Sequence, residues 1–381
     1  LDRLAIILAG GKGTRLRPLT YVKPKPLIPL AGKPIIDYII GWLRANGFRR
    51  FIVLAKYLGK QIKKHFRDCT DVDVEILDSK DTADAVRLVS ELIDTDHFLV
   101  SMGDVLCNAG FNEFYEEHTG LGGIATIALK EVDNPLHYGL VFIDSGRRIR
   151  LFVEKPLSIE IYALSMAHMH VSGESIYSNY VNTGFYMIRR DLLDILRRNP
   201  ALMDWGKHVF PYLLENNYSV YAWIMPRDTY WEDIGRIENY KKATWDMLSG
   251  IVKNFRPNGD LVGDRVYIEE GAEVAGEILP PVHIGADSVI EEGVVIGPYV
   301  SIGSGVRINR NTRISYSIVW DNTHISRDTY VHDTIIMDHV LVGDNTKIIS
   351  SIIGSNNNIG SGERLERSTI QPKNKVKHHG L

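Results

Sequence analysis

Two rhythms of apolar positions divide the chain. Up to about residue 254, short runs that are apolar throughout alternate with amphipathic stretches. The runs are "LAII" at 4–7, "FIVLA" at 51–55, "VDVEIL" at 72–77, "HFLVS" at 97–101 and "GIATIAL" at 123–129; the stretches include "IIDYIIGWLRANG" at 35–47 and "TADAVRLVSELI" at 82–93. Continuous apolar strands need cover on both faces, and the intervening helices supply it. The pattern therefore predicts a largely parallel sheet in an α/β layer fold. Sheets of that kind bind ligands outside the carboxyl ends of their strands.

After "NFRPNGD" the rhythm changes. Ile284, Ile290, Ile296, Ile302, Ile308 and Ile314 recur every six residues, and Gly285, Gly297 and Gly303 directly follow three of them. Val262, Ile268 and Val274 hold the same spacing earlier; Ile325 with Val331, Val342 with Ile348, and Ile353, Ile359 and Leu365 hold it later. A period of six walks off any one face of an α-helix. It suits a parallel β-helix with one inward aliphatic residue per short strand and three strands per turn. The breaks at 275–283 and 315–324 predict loops or a kinked coil. The expected organisation is an α/β domain over 1–254, a β-helix over 255–371 and a polar tail over 372–381.

Composition narrows the function classes. A length of 381 residues suits two domains, and 44% hydrophobic residues with a net charge of −3 describe a globular protein with no basic excess for nucleic acid. No apolar run is long enough for a bilayer, and the first residues read as a strand and not a secretion signal. Cys69 and Cys107 lack the paired spacing of a zinc site or a disulfide framework. The expectation is a cytoplasmic protein without membrane or nucleic-acid partners.

The segment "LAGGKGTRLRPLT" at 8–20 follows the first strand directly. Its glycines allow close backbone approach and its lysine and arginines supply charge-assisted donors, which suits an anionic ligand such as phosphate. It lacks the spacing of a P-loop, and Leu16 stands where a dinucleotide fingerprint needs its third glycine. The continuation "PLTYVKPKPLIPLAGKP" sets Lys23, Lys25 and Lys33 among prolines, so cations lie on a stiff, extended segment beside the loop. Polar chemistry recurs further on. "SMGDV" carries Asp104 at a strand's carboxyl end, "VEKP" carries Glu154 and Lys155, "NTGFY" carries Asn182 and Thr183, and "YWEDIG" carries Glu232 and Asp233. Taken singly, these residues also read as helix caps, a surface pair and a turn residue.

Together, "GGKGTRLRPLT", "KPKPLIPLAGKP", "GDV", "GLVFID", "VEKP", "VNTGFY", "WGKHVFP" and "YWEDIG" resemble, in order, the motifs of the sugar-1-phosphate nucleotidylyltransferases, also called NDP-sugar pyrophosphorylases. The hexad tail resembles the branch that carries a left-handed β-helix. The resemblance implies a Rossmann-like nucleotidyltransferase domain and a reaction in which a hexose 1-phosphate and a nucleoside triphosphate yield an NDP-sugar and pyrophosphate, with Mg²⁺ as cofactor. It implies that Arg15 and Lys25 are catalytic. It implies a nucleotide site of Leu8, Gly10, Gly11, Gly13, Thr14, Arg15, Lys25, Asp81, Thr82 and Asp84. A sugar-phosphate site of Gly139, Glu154, Lys155, Asn182 and Thr183, and metal ligands Asp104 and Asp233, follow in the same way. The β-helix is then expected to assemble homo-oligomers.

The nucleobase stays open. "SKDTADAV" has Asp81 and Asp84 where thymidylyl, uridylyl and many guanylyl enzymes carry glycines, and it resembles ADP-glucose pyrophosphorylases, whereas "KPKPLIPLAGKP" resembles the thymidylyl and guanylyl types. A carboxylate near the base can accept guanine's N1 and N2 protons, and the reading leans towards a purine. Two other readings keep the same plan: a non-catalytic regulatory or scaffold relative, and a bifunctional enzyme with an acyltransferase histidine such as His324, His332 or His339 in the β-helix.

Overall fold

The computed structural model describes residues 2–133, 138–153 and 177–373. Glu154, Lys155 and most of the expected tail lie outside the described residues. The chain forms two compact units: residues 1–11 with 39–231, and residues 12–38 with 232–381. The expected boundary at 254 lies within the second unit. The division into units falls elsewhere, because the proline- and lysine-rich segment 12–38 packs with the C-terminal half of the chain.

In the first unit the described residues form a nine-stranded sheet. Its strands are β1 (Arg3–Ala9), β2 (Phe48–Ala55), β3 (Val72–Ile76), β4 (His97–Met102), β5 (Ala125–Glu131), β6 (Leu140–Ile143), β7 (Ile149–Val153), β8 (Tyr177–Arg189) and β9 (Val220–Ile224). The order β7-β6-β8-β4-β1-β2-β3 is extended by β5 on β8 and β9 on β5. β3, β2, β1 and β4 run parallel, and both faces of β1 are buried, as continuous apolar runs require. Leu4, Ile6 and Leu8 meet Val86 of the helix Thr82–Leu88 and Leu193 and Leu196 of the helix Leu192–Arg198.

The sheet is mixed, which the apolar runs did not predict. β8 is antiparallel to β4, β5 and β6, and β6 with β7 forms a hairpin whose turn Asp144 closes by accepting from the N–H groups of Gly146 and Arg148. Short turns permit antiparallel neighbours, whereas the parallel half needs crossovers.

One buried polar pair gives this unit a pH dependence. His118, on the helix Phe111–Leu121, is fully buried, with Nε2 3.0 Å from Nδ1 of His97 and Nδ1 2.8 Å from Thr126 Oγ1. Burial, with the neighbouring His97 adding to it, pushes the His118 pKa down to about 3. The unfolded chain takes up that proton near pH 6.5 and the folded chain does not, so stability falls as pH drops below 6.5. The expected loss between pH 7 and pH 5 is about 2 kcal/mol in urea unfolding. His118→Gln should flatten that dependence; an unchanged slope would exclude this origin.

In the second unit the hexads wind into three sheets, of eight, six and six strands among the described residues, parallel except for Asp260–Leu261 at one edge. Three inward stacks result. One is Ile284, Ile302, Val319, Ile336, Ile353 and Ile370; another is Ile290, Ile308, Ile325, Val342 and Ile359; the third is Ile278, Ile296, Ile314, Val331, Ile348 and Leu365. The break at 315–324, expected as a loop or a kinked coil, is a change of coil length. From Ile314 onward one side of each coil holds five residues in place of six, and Tyr316, Asp333, Ser350 and Arg367 turn these short corners with φ between 47° and 49°. Polar ladders join the coils at a neighbouring position: the N–H groups of Thr334, Ser351 and Ser368 each donate to the hydroxyl of Ser317, Thr334 and Ser351 in the preceding coil. Val262 is corrected: it is 55% exposed, because 260–261 pair antiparallel with 267–268 ahead of the first full coil.

Candidate active site

Within the first unit, the ends of β1, β3 and β4 carry loops singled out in the sequence, with the end of β2 among them. The register pairs Leu8 of β1 with Met102 of β4 and with Leu54 of β2, so Gly10, Gly11, Asp104 and Lys56 leave the sheet at one edge. The Gly103 N–H donates to the Leu8 carbonyl at 2.9 Å and fixes the Asp104 loop beside the glycine loop. Lys56 ties down the next loop through Asp78 at 2.8 Å and the Ser79 carbonyl at 2.7 Å. This is the carboxyl edge at which open α/β sheets bind ligands.

The loop at 78–84 is shaped by its own polar side chains. Asp81 caps the helix Thr82–Leu88 by accepting from the Thr82 N–H. Asp84 is 3% exposed; one carboxylate oxygen accepts from the Lys80 N–H at 2.7 Å and the other pairs with Arg87. Burial pushes the Asp84 carboxyl up, but the Lys80 N–H and the Arg87 guanidinium outweigh it and hold the group below the usual carboxylate range. Asp84 thus faces inward and shapes the loop. The Thr82 hydroxyl is likewise engaged: it donates to Asp204 Oδ2 at 3.0 Å and accepts from the Trp205 N–H.

The sugar-side residues divide in the same manner. The Asn182 N–H donates to the Gly139 carbonyl at 2.8 Å, which brings these two together on β8 and beside β6. The Asn182 side chain donates to Tyr186 Oη and accepts from the Gly184 N–H. Thr183 is 2% exposed and its hydroxyl donates to the Ala128 carbonyl at 2.6 Å. The Thr183 hydroxyl thereby bonds β8 to β5.

Within the second unit, the catalytic candidates come together. Gly13 adopts φ 59°, the left-handed turn that starts the 3-10 turn Thr14–Leu16, and a Cβ there would lie 2.7 Å from Thr20 Cγ2. Arg15 follows, exposed, while Lys25 is 8% exposed with Nζ 3.2 Å from Asp233 Oδ1. Gly235 lacks the side chain that would separate them: a Cβ at 235 would lie 3.0 Å and 3.2 Å from the two Asp233 oxygens and 3.1 Å from Arg15 Nη2. One carboxylate is therefore flanked by two cations from the 12–38 segment. Such a cluster can exchange internal ion pairs for contacts with a polyphosphate.

The comparisons with known proteins decide the family. Residues 4–250 match the nucleotidyl transferase model and residues 278–380 match the GMPPB C-terminal domain model. The chain belongs to the sugar-1-phosphate nucleotidylyltransferase family. A UTP--glucose-1-phosphate uridylyltransferase of Synechocystis sp. is 32% identical over 83% of this chain and 82% of its own length. Mannose-1-phosphate guanylyltransferase 1 of Arabidopsis thaliana is 30% identical over 84% of this chain and 86% of its own. This nucleotidylyltransferase carries His324 and His332 on strands of different sheets of its β-helix, while exposed His339 turns a corner with φ 57°. No described helix of the enzyme is long and apolar enough to cross a membrane.

Proposed function

We propose that this enzyme catalyses guanylyl transfer from GTP to mannose 1-phosphate. A phosphate oxygen of the sugar phosphate attacks the α-phosphorus, the α–β P–O bond breaks, and pyrophosphate leaves. The observation that carries the reading is the gathering of Arg15 and Lys25 about Asp233 at Gly235. The choice of GTP and mannose 1-phosphate is supported by the C-terminal match and by the guanylyltransferases among the relatives.

In this reading Gly10, Gly11 and Gly13 present backbone amides to the triphosphate, with Leu8 and Thr14 beside them. Arg15 and Lys25 stabilise the charge that builds on the α-phosphoryl oxygens and the departing pyrophosphate. Asp233 holds Lys25 until substrate takes the ammonium over. Asn182, Gly139 and Glu154 position the sugar hydroxyls, and Lys155 takes its phosphate. The sugar phosphate is already ionised at neutral pH, so the step needs no protein base.

Asp104 and Asp233 are the proposed magnesium ligands. Among the described residues no three His, Cys, Asp or Glu groups form a metal cluster. Magnesium ordinarily takes one or two protein carboxylates and completes its shell with water and substrate phosphates, and two partly exposed aspartates fit that donor set. When bound, the ion supplies charge neutralisation to the triphosphate. Asp104→Asn should lower turnover about a hundredfold or more with folding unchanged; full activity with Mg²⁺ would remove Asp104 from this role.

The reading is tested by pyrophosphate release from ATP, GTP, CTP, UTP and dTTP, each against glucose, mannose and N-acetylglucosamine 1-phosphate. Preferred release with GTP and mannose 1-phosphate is expected. Preference for UTP and glucose 1-phosphate would keep the reaction and overturn the substrates; silence from folded protein would overturn both.

A further inference from the structure

The catalytic candidates of the second unit are held from behind by the β-helix. Lys23, two residues before Lys25, places its Nζ 3.4 Å from Asp338 Oδ2 and 4.8 Å from the centre of the Trp320 ring. Both Lys23 and Asp338 are largely shielded, with side chains 22% and 17% exposed, and Trp320 is fully buried. Pro24 and Pro26 stiffen the connection, so fixing Lys23 limits where Lys25 can go.

The same tryptophan reaches the other half of the pair. Its Nε1 donates to Tyr240 Oη at 3.0 Å, and Tyr240 Oη donates to the Pro29 carbonyl at 2.6 Å. Tyr240 lies on the helix Ile237–Leu248, which begins four residues after Asp233. Next to it, Lys241 binds Asp333 of the β-helix through Oδ1 at 2.7 Å and the backbone carbonyl at 2.9 Å. Each partner of the Lys25–Asp233 pair is thus tethered through Trp320.

Resting on the transfer reaction proposed above, we propose that Asp338 and Trp320 are positioning residues: they clamp Lys23 and Tyr240 and thereby hold Lys25 and Asp233 in register for the transfer. Neither touches substrate. Their effect is on the geometry of the cations, where displacements of about 1 Å cost rate more than binding.

The test uses the full chain with Asp338→Ala, Lys23→Met, their double variant and Trp320→Phe. Each single change should lower kcat about tenfold while KM for both substrates moves less than twofold. The double variant should be no slower than the worse single one, because both remove one interaction. A purely structural role would instead lower the unfolding midpoint and leave the kcat of the folded fraction unchanged, and that result overturns the proposal. Hydrogen exchange keeps the two readings apart. Amides of residues 19–28 should exchange about tenfold faster in Asp338→Ala, with those of 284–359 unaltered. Unchanged exchange there overturns the clamp even if the enzyme is active. Faster exchange in a chain whose wild type releases no pyrophosphate would uphold the clamp and fault the proposed reaction.

Discussion

Lys25→Ala is expected to slow sugar-dependent pyrophosphate release by about a hundred- to a thousandfold, the usual cost of losing one preorganised group at developing phosphoryl charge. The side chain is 10% exposed, so water cannot readily replace the lost ammonium. Its loss leaves Asp233 facing Arg15 across the space at Gly235. Folding should change little: the side chain of Asp233 is 40% exposed, and an ion pair in that setting contributes about 1 kcal/mol or less. Lys25→Arg should not restore the rate, because a planar guanidinium does not occupy the position of a compact ammonium. The decisive comparison is kcat against the urea midpoint. A variant with kcat within threefold of wild type would take Lys25 out of the chemistry.

Gly285→Val is expected to have the largest effect on folding. A Cβ at 285 would lie 2.4 Å from the Gly303 carbonyl carbon, 2.6 Å from its oxygen and 2.6 Å from the Ser304 nitrogen. All three are backbone atoms of the next coil, so no side chain can move aside. Relief requires the Ile284 to Ile302 register to open, at a cost of about 3 kcal/mol or more. Gly41→Ala is the control. It sits in the helix Ile35–Ala45 with nothing within 4 Å of the new Cβ, and should gain about 0.5–1 kcal/mol. Equal urea midpoints for the two variants would contradict the account of coil stacking.

Much of the β-helix was legible because its core needs one aliphatic residue per side, and Ile284 to Ile314 repeat that need without interruption. The later coils were harder to read. Dropping one residue per turn hides the period of six, yet Ser317, Thr334, Ser351 and Ser368 carry the new period openly. Arg15, Lys25 and Asp233 were legible as types of residue in ordered motifs. Their meeting at Gly235 was not, since it depends on a fold that joins residues about 200 positions apart. At Asp84, Thr82 and Thr183 residue type alone could not show the bonds that each makes within the fold. A buried strand end or helix start must satisfy its own backbone, and a polar residue there serves the protein as readily as a ligand. Asp338 and Trp320 carry no local signal at all, because their partner Lys23 lies some 300 residues earlier.

The membership of residues 12–38 in the second unit also bears on biosynthesis. Lys23 and Lys25 leave the ribosome well before the coils that hold Lys23, which emerge some 300 residues later, a delay of roughly 15 to 60 s at ordinary elongation rates. During that interval the segment has no native partner, and its prolines keep it extended and out of premature strand pairing. Nascent chains interrupted before Asp338 would therefore carry the cationic motif without its clamp. If the proposed clamp holds, activity waits on the coil that carries Asp338, and the β-helix then serves as a checkpoint on synthesis that leaves chains truncated before it inactive.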